Sequence, residues 1–178
     1  MIVGASLAGA TTATTLRELR FEATIDVIGA EAELTYERPA LSKTFLAGQH
    51  SHDDLLLNTA AEYDACSIRM HLGETAVGLD LSRRLVSVAD GSSIGYDDLV
   101  IATGSVNRRP DIAGMDLNGV HQLRTVADAD ALRSHAGRMN SAVIVGQAAV
   151  GQSREPTQSD HLPRNERTSR RGVAPLAA

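Results

Sequence analysis

The opening run Ile2-Val3-Gly4-Ala5-Ser6-Leu7-Ala8-Gly9 constrains the fold more than any other stretch of this chain. An apolar strand that enters a glycine turn and then a helix of small residues is the start of a βαβ unit. Gly4 and Gly9 occupy the first and last positions of the pattern G-x-G-x-x-G, and Ser6 stands at the middle one. In that geometry backbone N–H groups and the positive end of a helix converge on a pyrophosphate. The small Ser6 side chain still permits close approach. A lone match of this kind also describes an ordinary glycine turn, so its neighbours decide. The pattern further wants a carboxylate at the end of the second strand, to accept hydrogen bonds from a ribose. Ala30 and Glu31 occupy that place. Glu31 is the candidate, although an isolated surface glutamate is as common.

The rest of the chain supports a βαβ context. Met1 to Val3 reads as the tail of a first strand, short enough that its start is expected upstream. A helix is predicted over 7–19, where Ala10 and Ala13 let it approach a sheet, and a second strand over 24–28 before Gly29. Arg38-Pro39 leads into a short helix predicted over 41–47, closed by Gly48. A helix over 59–65 and a strand over 68–72 follow. Three β segments are then predicted over 76–80, 84–88 and 93–96, with Ala89-Asp90-Gly91 as a turn. Residues 99–104 form an apolar strand stopped by glycine. Residues 126–137 have helical periodicity, with Asp128 and Asp130 in the first turn, where the helix dipole favours acids. Ala142-Val143-Ile144-Val145-Gly146 repeats the opening strand-to-glycine pattern.

Composition narrows the function classes. A net charge of −5 and a pI near 5.6 argue against a nucleic-acid binder. Two Phe, three Tyr and no Trp leave little for base stacking. Cys66 is the only cysteine, so an internal disulfide, a CxxC redox pair and a cysteine-cluster metal site are excluded; it reads as a quiet, partly buried thiol. His50-Ser51-His52-Asp53-Asp54 reads as an exposed polar loop rather than a metal site, because no third ligand group converges on it. Arg108-Arg109-Pro110 reads as a solvated turn. No apolar run is long enough for a bilayer and no basic segment precedes an apolar one, so a soluble cytoplasmic protein is expected.

The turn Gly4–Gly9 is followed by Tyr36-Glu37-Arg38-Pro39-Ala40-Leu41-Ser42-Lys43, then Ala102-Thr103-Gly104, then Leu123-Arg124-Thr125. In this order and spacing, over roughly residues 1–146, the chain resembles the FAD-linked ferredoxin and rubredoxin reductases of oxygenase electron-transfer chains. The resemblance implies an α/β fold of the FAD/NAD(P)-binding Rossmann-like type, a parallel sheet with a small antiparallel β insertion. It implies FAD as cofactor, NAD(P)H as co-substrate and a ferredoxin-type iron–sulfur partner. It also assigns cofactor-facing places. Gly4, Ser6, Ala8 and Gly9 would meet the pyrophosphate, with Ala8 offering its backbone. Ala76 would touch the adenine end through its backbone. Arg38, Thr103 and Gly104 fall in the conserved-order motifs beside the cofactor, and Arg124 would hold FAD from the later loop. Lys43 would approach the isoalloxazine, where a cation stabilises negative charge on reduced flavin. The family's usual acid at position 30 is Ala here, which leaves Glu31 as the substitute ribose contact. Ser42 and Lys43 stand where related disulfide reductases carry a redox cysteine pair, which favours delivery of single electrons to a metalloprotein.

Three regions are expected: an incomplete FAD-binding domain over 1–125, the start of an NAD(P)H-binding domain over 126–151, and a tail over 152–178. Gln147 and Ala148 spoil the second glycine turn, so the nicotinamide site is expected to be broken off. Residues 152–171 hold five arginines, two prolines and no aliphatic residue but Leu162, so disorder is expected of the tail. The chain is therefore read as a truncated reductase that binds FAD weakly and does not turn over NAD(P)H. A non-catalytic nucleotide-binding or interaction remnant is the alternative.

Overall fold

Ile2 and Val3 are neighbours that must point to opposite faces of a strand, and both are buried. At this strand the sheet is accordingly covered on both sides. The computed structural model describes residues 1–138 and 141–145. It divides the chain into two units, Met1–Val143 and Ile144–Ala178, and the architecture below is that of the first.

Strand β1 (Ile2–Val3) lies between β2 (Ile25–Gly29) and β7 (Val100–Ile101), and β3 (Ile68–Leu72) adds beyond β2. The order is β3-β2-β1-β7, with every pair parallel. The register sets Ile2 beside Val27 and Val3 beside Ile28. Ile2 and Val27 pack with Ala10, Ala13, Tyr63 and Ile68, on the side of helices α1 (Leu7–Glu18) and α3 (Ala60–Ala65). Val3 and Ile28 pack instead on Val86, from the antiparallel sheet of β4 (Ala76–Asp80), β5 (Leu85–Val88) and β6 (Ser93–Gly95). The expected α/β fold with a parallel sheet and a small antiparallel insertion is the one observed.

Helix α1 owes more to packing than to propensity, because four of its residues are threonine. Ala13 is fully buried, and Thr12 and Thr14 turn their hydroxyls back onto the carbonyls of Ala8 and Ala10. Arg17 ends the helix as a staple. Its guanidinium donates to the carbonyls of Ala23 (2.8 Å), Cys66 (2.7 Å) and Ser67 (2.8 Å), tying the helix exit to the α3–β3 turn.

Several predictions of local structure need correction. The helix expected over 41–47 begins earlier, as α2 (Arg38–Ala40), because Pro39 fits a first helical turn. The chain then widens into a π-helical turn, Leu41–Phe45, that buries Leu41 and Phe45. The strand expected over 99–104 is only Val100–Ile101. Its partner β1 offers two residues, and Gly4 then leaves the sheet. Cys66 is exposed rather than partly buried, because it caps the C-terminus of α3. The first turn of α4 (Val126–Ala136) holds Asp128; Asp130 lies further on and pairs with His52 at 2.8 Å. Residues 141–145 adopt neither helix nor strand, contrary to the strand expected over 142–146. The second glycine turn, 146–151, and the tail over 152–178 lie outside the described residues. Among the described residues no helix is long and apolar enough to cross a membrane.

Candidate functional site

The glycine turn is held from both sides by strand ends. Gly4 has φ +118°, and its N–H donates to the Ile28 carbonyl at 2.8 Å. A Cβ at Gly4 would sit 2.2 Å from the Ala102 oxygen, so the turn and the β7 exit could not approach each other with any larger residue. A Cβ at Gly9 would lie 1.8 Å from the Gly4 oxygen, which makes Gly9 the residue that lets α1 start directly beneath the turn.

Ser6 is the N-cap of α1 in extended conformation, and its side chain makes no capping bond. The first amide to bond back is that of Ala10, to the Ser6 carbonyl at 3.0 Å. No acceptor among the described residues takes the N–H groups of residues 6–9. Free amides at a twelve-residue helix start, with a positive dipole behind them, suit an anion chemically.

Of these residues Ser6 borders a cleft of about 240 Å³. Its lining brings together Gly4, Ser6, Glu31, Arg38, Ala76 and Thr103, from the turn, the β2 exit, α2, the start of β4 and the β7 exit. Glu31 is the hub at one end. It accepts from the Tyr36 hydroxyl at 2.5 Å and pairs with Arg38, whose other Nη donates to the Arg124 carbonyl at 2.8 Å. The Tyr36 hydroxyl in turn accepts from Val126 N–H at 3.1 Å, and the Arg38 guanidinium lies 5.3 Å from the Tyr36 ring centroid. Burial, reinforced by donation to Glu31, pushes the Tyr36 hydroxyl up to about 12, so it remains a donor at ordinary pH. A carboxylate offers about four lone-pair positions, so Glu31 can bond Tyr36 and Arg38 and still accept from a ligand's hydroxyls.

Other expected site residues lie elsewhere. Ala8 and Gly9 belong to the first turn of α1 and do not line the cleft. Gly104 and Arg124 are brought to each other: a Cβ at Gly104 would lie 3.5 Å from an Arg124 Nη. Lys43 is exposed on the π-helical turn, away from the cleft lining, and forms no ion pair among the described residues. Sequence reasoning passed over Tyr36 as a site residue, although it lies inside a quoted motif. It also missed Glu33, Glu74 and Thr75 of the lining. Glu74 and Thr75 come from the β3–β4 connection, where Gly73 N–H bonds the Glu31 carbonyl and Glu74 N–H bonds the Gly29 carbonyl, both at 2.9 Å. No local pattern announces those contacts. In the loop 50–54, His52 bonds Asp130 and Ser51 bonds Asp54.

Known proteins agree with this architecture. The chain is 45% identical over 151 residues to a ferredoxin–NAD(P)+ reductase of a Sphingomonas species, covering 85% of this chain and 36% of that protein. The ferredoxin reductase for the CYP199A2 system from Rhodopseudomonas palustris superposes with a TM-score of 0.73 at 31% identity, over 77% of this chain and 34% of that one. Putidaredoxin reductase in its covalent complex with putidaredoxin superposes with a TM-score of 0.72 at 34% identity, over 75% of this chain and 33% of that one. The chain thus spans about a third of the length of these relatives. The model of the pyridine nucleotide-disulphide oxidoreductase family matches residues 1–152, and the chain belongs to that family, alongside its ferredoxin reductases.

Proposed function

We propose that residues 1–125 are the FAD-binding part of a ferredoxin-reductase-type flavoprotein, which passes electrons from NAD(P)H through FAD to a ferredoxin-type iron–sulfur protein. The carrying observation is the unbonded start of α1, whose Ser6 lines a cleft that Glu31 also lines. The ADP half of FAD has a pyrophosphate for the first and a ribose diol for the second. FAD, when bound, accepts hydride from reduced nicotinamide and releases electrons one at a time. The residues of this chain supply position and charge. The turn amides and Ser6 hydroxyl meet the phosphates, Glu31 meets the ribose, and Ala76 borders the adenine end. Thr103, Gly104 and Arg124 continue the site toward the flavin, with Lys43 as the cation nearest the ring. Similarity to a putidaredoxin reductase solved with its putidaredoxin supports the choice of partner. A cytoplasmic setting, where reduced nicotinamide is plentiful, belongs to the same reading.

The second reading, a nucleotide-binding protein without redox function, is favoured by Ala30, which withholds the usual ribose carboxylate. Electron delivery separates the two. The full chain would be mixed with FAD, photoreduced without oxygen with EDTA as the electron donor, and combined with an oxidised [2Fe–2S] ferredoxin, against the same concentration of free FAD. Faster bleaching of the ferredoxin than free FAD produces is expected. A rate equal to that of free flavin would contradict the reductase reading.

A further inference from the structure

We propose that Thr35 is a positioning residue for the phosphate-binding turn: its hydroxyl fixes the Ala5 carbonyl, so that the Ser6 amide of the same peptide faces the pyrophosphate of an adenine dinucleotide. The inference rests on the nucleotide-site reading above. Thr35 is 1% exposed. Its Oγ1 donates to the Ala5 oxygen at 2.8 Å, thirty residues away in sequence. A buried hydroxyl with a short bond of this kind is anchored, because breaking the bond strands both partners.

The consequence follows from peptide geometry. The described chain has no cis peptide, so the Ala5 C=O and the Ser6 N–H lie in one plane and point in opposite directions. Fixing the carbonyl toward Thr35 turns the amide away from it. Leu34 and Tyr36 both line the cleft, whereas Thr35 does not, so the hydroxyl acts from behind the turn. Thr35 is itself held in place. Its carbonyl accepts from Leu57 N–H at 2.9 Å, and Tyr36 forms a β-bridge with Leu56. The Ser6 amide, with no acceptor among the described residues, is thereby oriented before any anion arrives, and no reorganisation is needed on binding.

The test uses the full chain, Thr35→Val, which removes the hydroxyl at constant shape, and Thr35→Ser, which restores it. ADP and FAD affinity should fall about tenfold in Thr35→Val, while adenosine, which has no phosphate, should bind within twofold of the unaltered chain. Thr35→Ser should stay within threefold for all three ligands. In the unaltered chain the Ser6 amide resonance should move on addition of ADP and remain still on addition of adenosine, a readout that stands even if Thr35→Val does not fold. Unchanged ADP affinity in Thr35→Val, equal losses for ADP and adenosine, or a Ser6 amide indifferent to ADP would each overturn the role of Thr35. If the unaltered chain bound neither FAD nor ADP, the nucleotide site would fall, and this role with it.

Discussion

Asp26 shows how a single carboxylate can be tuned by its neighbours on a sheet. It sits on β2 opposite Arg69 and two places from His71 on β3, accepting from both, at 2.7 and 2.8 Å. Burial pushes the carboxyl upward, but the hydrogen bonds from His71 and Arg69 outweigh it and hold the group below its ordinary value of 3.8. The unfolded chain therefore binds the proton more readily than the folded one. The stabilisation from Asp26 is fully present above that ordinary value and is lost as pH falls through the lowered one. Asp26→Asn should flatten part of the fall in urea stability between pH 6 and pH 3. An identical fall in both proteins would show that Asp26 titrates alike folded and unfolded. At Lys43 the exposed ammonium has no ion-pair partner among the described residues, which leaves its charge available to a ligand. Lys43→Ala in the FAD-loaded chain should shift the flavin potential downward. An unchanged potential would remove Lys43 from the site.

Helix α4 carries its own start signal. Thr125 accepts from Asp128 N–H at 3.1 Å while Asp128 accepts from the N–H of Thr125 at 2.9 Å, a complete capping box. Val126 and Ala129 then pack on Tyr36, Leu41, Phe45 and Leu55, so the cap fixes the helix on the π-helical turn that carries Lys43. Thr125→Ala should cost about 1 kcal/mol in denaturant unfolding, and Thr125→Ser a few tenths at most. Equal stability of all three would mean that packing alone sets the helix start. This element was legible in sequence because its helical periodicity and the first-turn acid Asp128 agree. The π-helical turn was not, since Leu41–Phe45 reads like any short helix and its wider winding follows from burying Leu41 and Phe45. Nor was the brevity of β7 legible, because its length is set by a partner strand about a hundred residues away.

At the scale of the molecule the cleft is built by convergence. The turn and Glu31 are readable from one βαβ unit, while Ala76 and Thr103 of the lining are legible only through family resemblance. Thr35, Tyr36 and Glu74 act through contacts spanning thirty or more residues, such as Thr35 to Ala5 and Tyr36 to Val126, and no periodicity encodes those. The chain's span of about a third of its relatives makes the nucleotide site, rather than the whole reductase cycle, the claim to test first. If the cleft takes FAD as proposed, Ala30 withholds one charged hydrogen bond from the ribose, worth roughly 1.5–3 kcal/mol or about one to two decades in affinity. The direct measurement is titration of FAD into the full chain by flavin fluorescence, with ADP as competitor and Ala30→Asp as the companion variant. Weak but saturable one-to-one binding is expected, displaced by ADP and at least about tenfold tighter in Ala30→Asp. Absence of saturable binding, or binding that ADP does not displace, would contradict it.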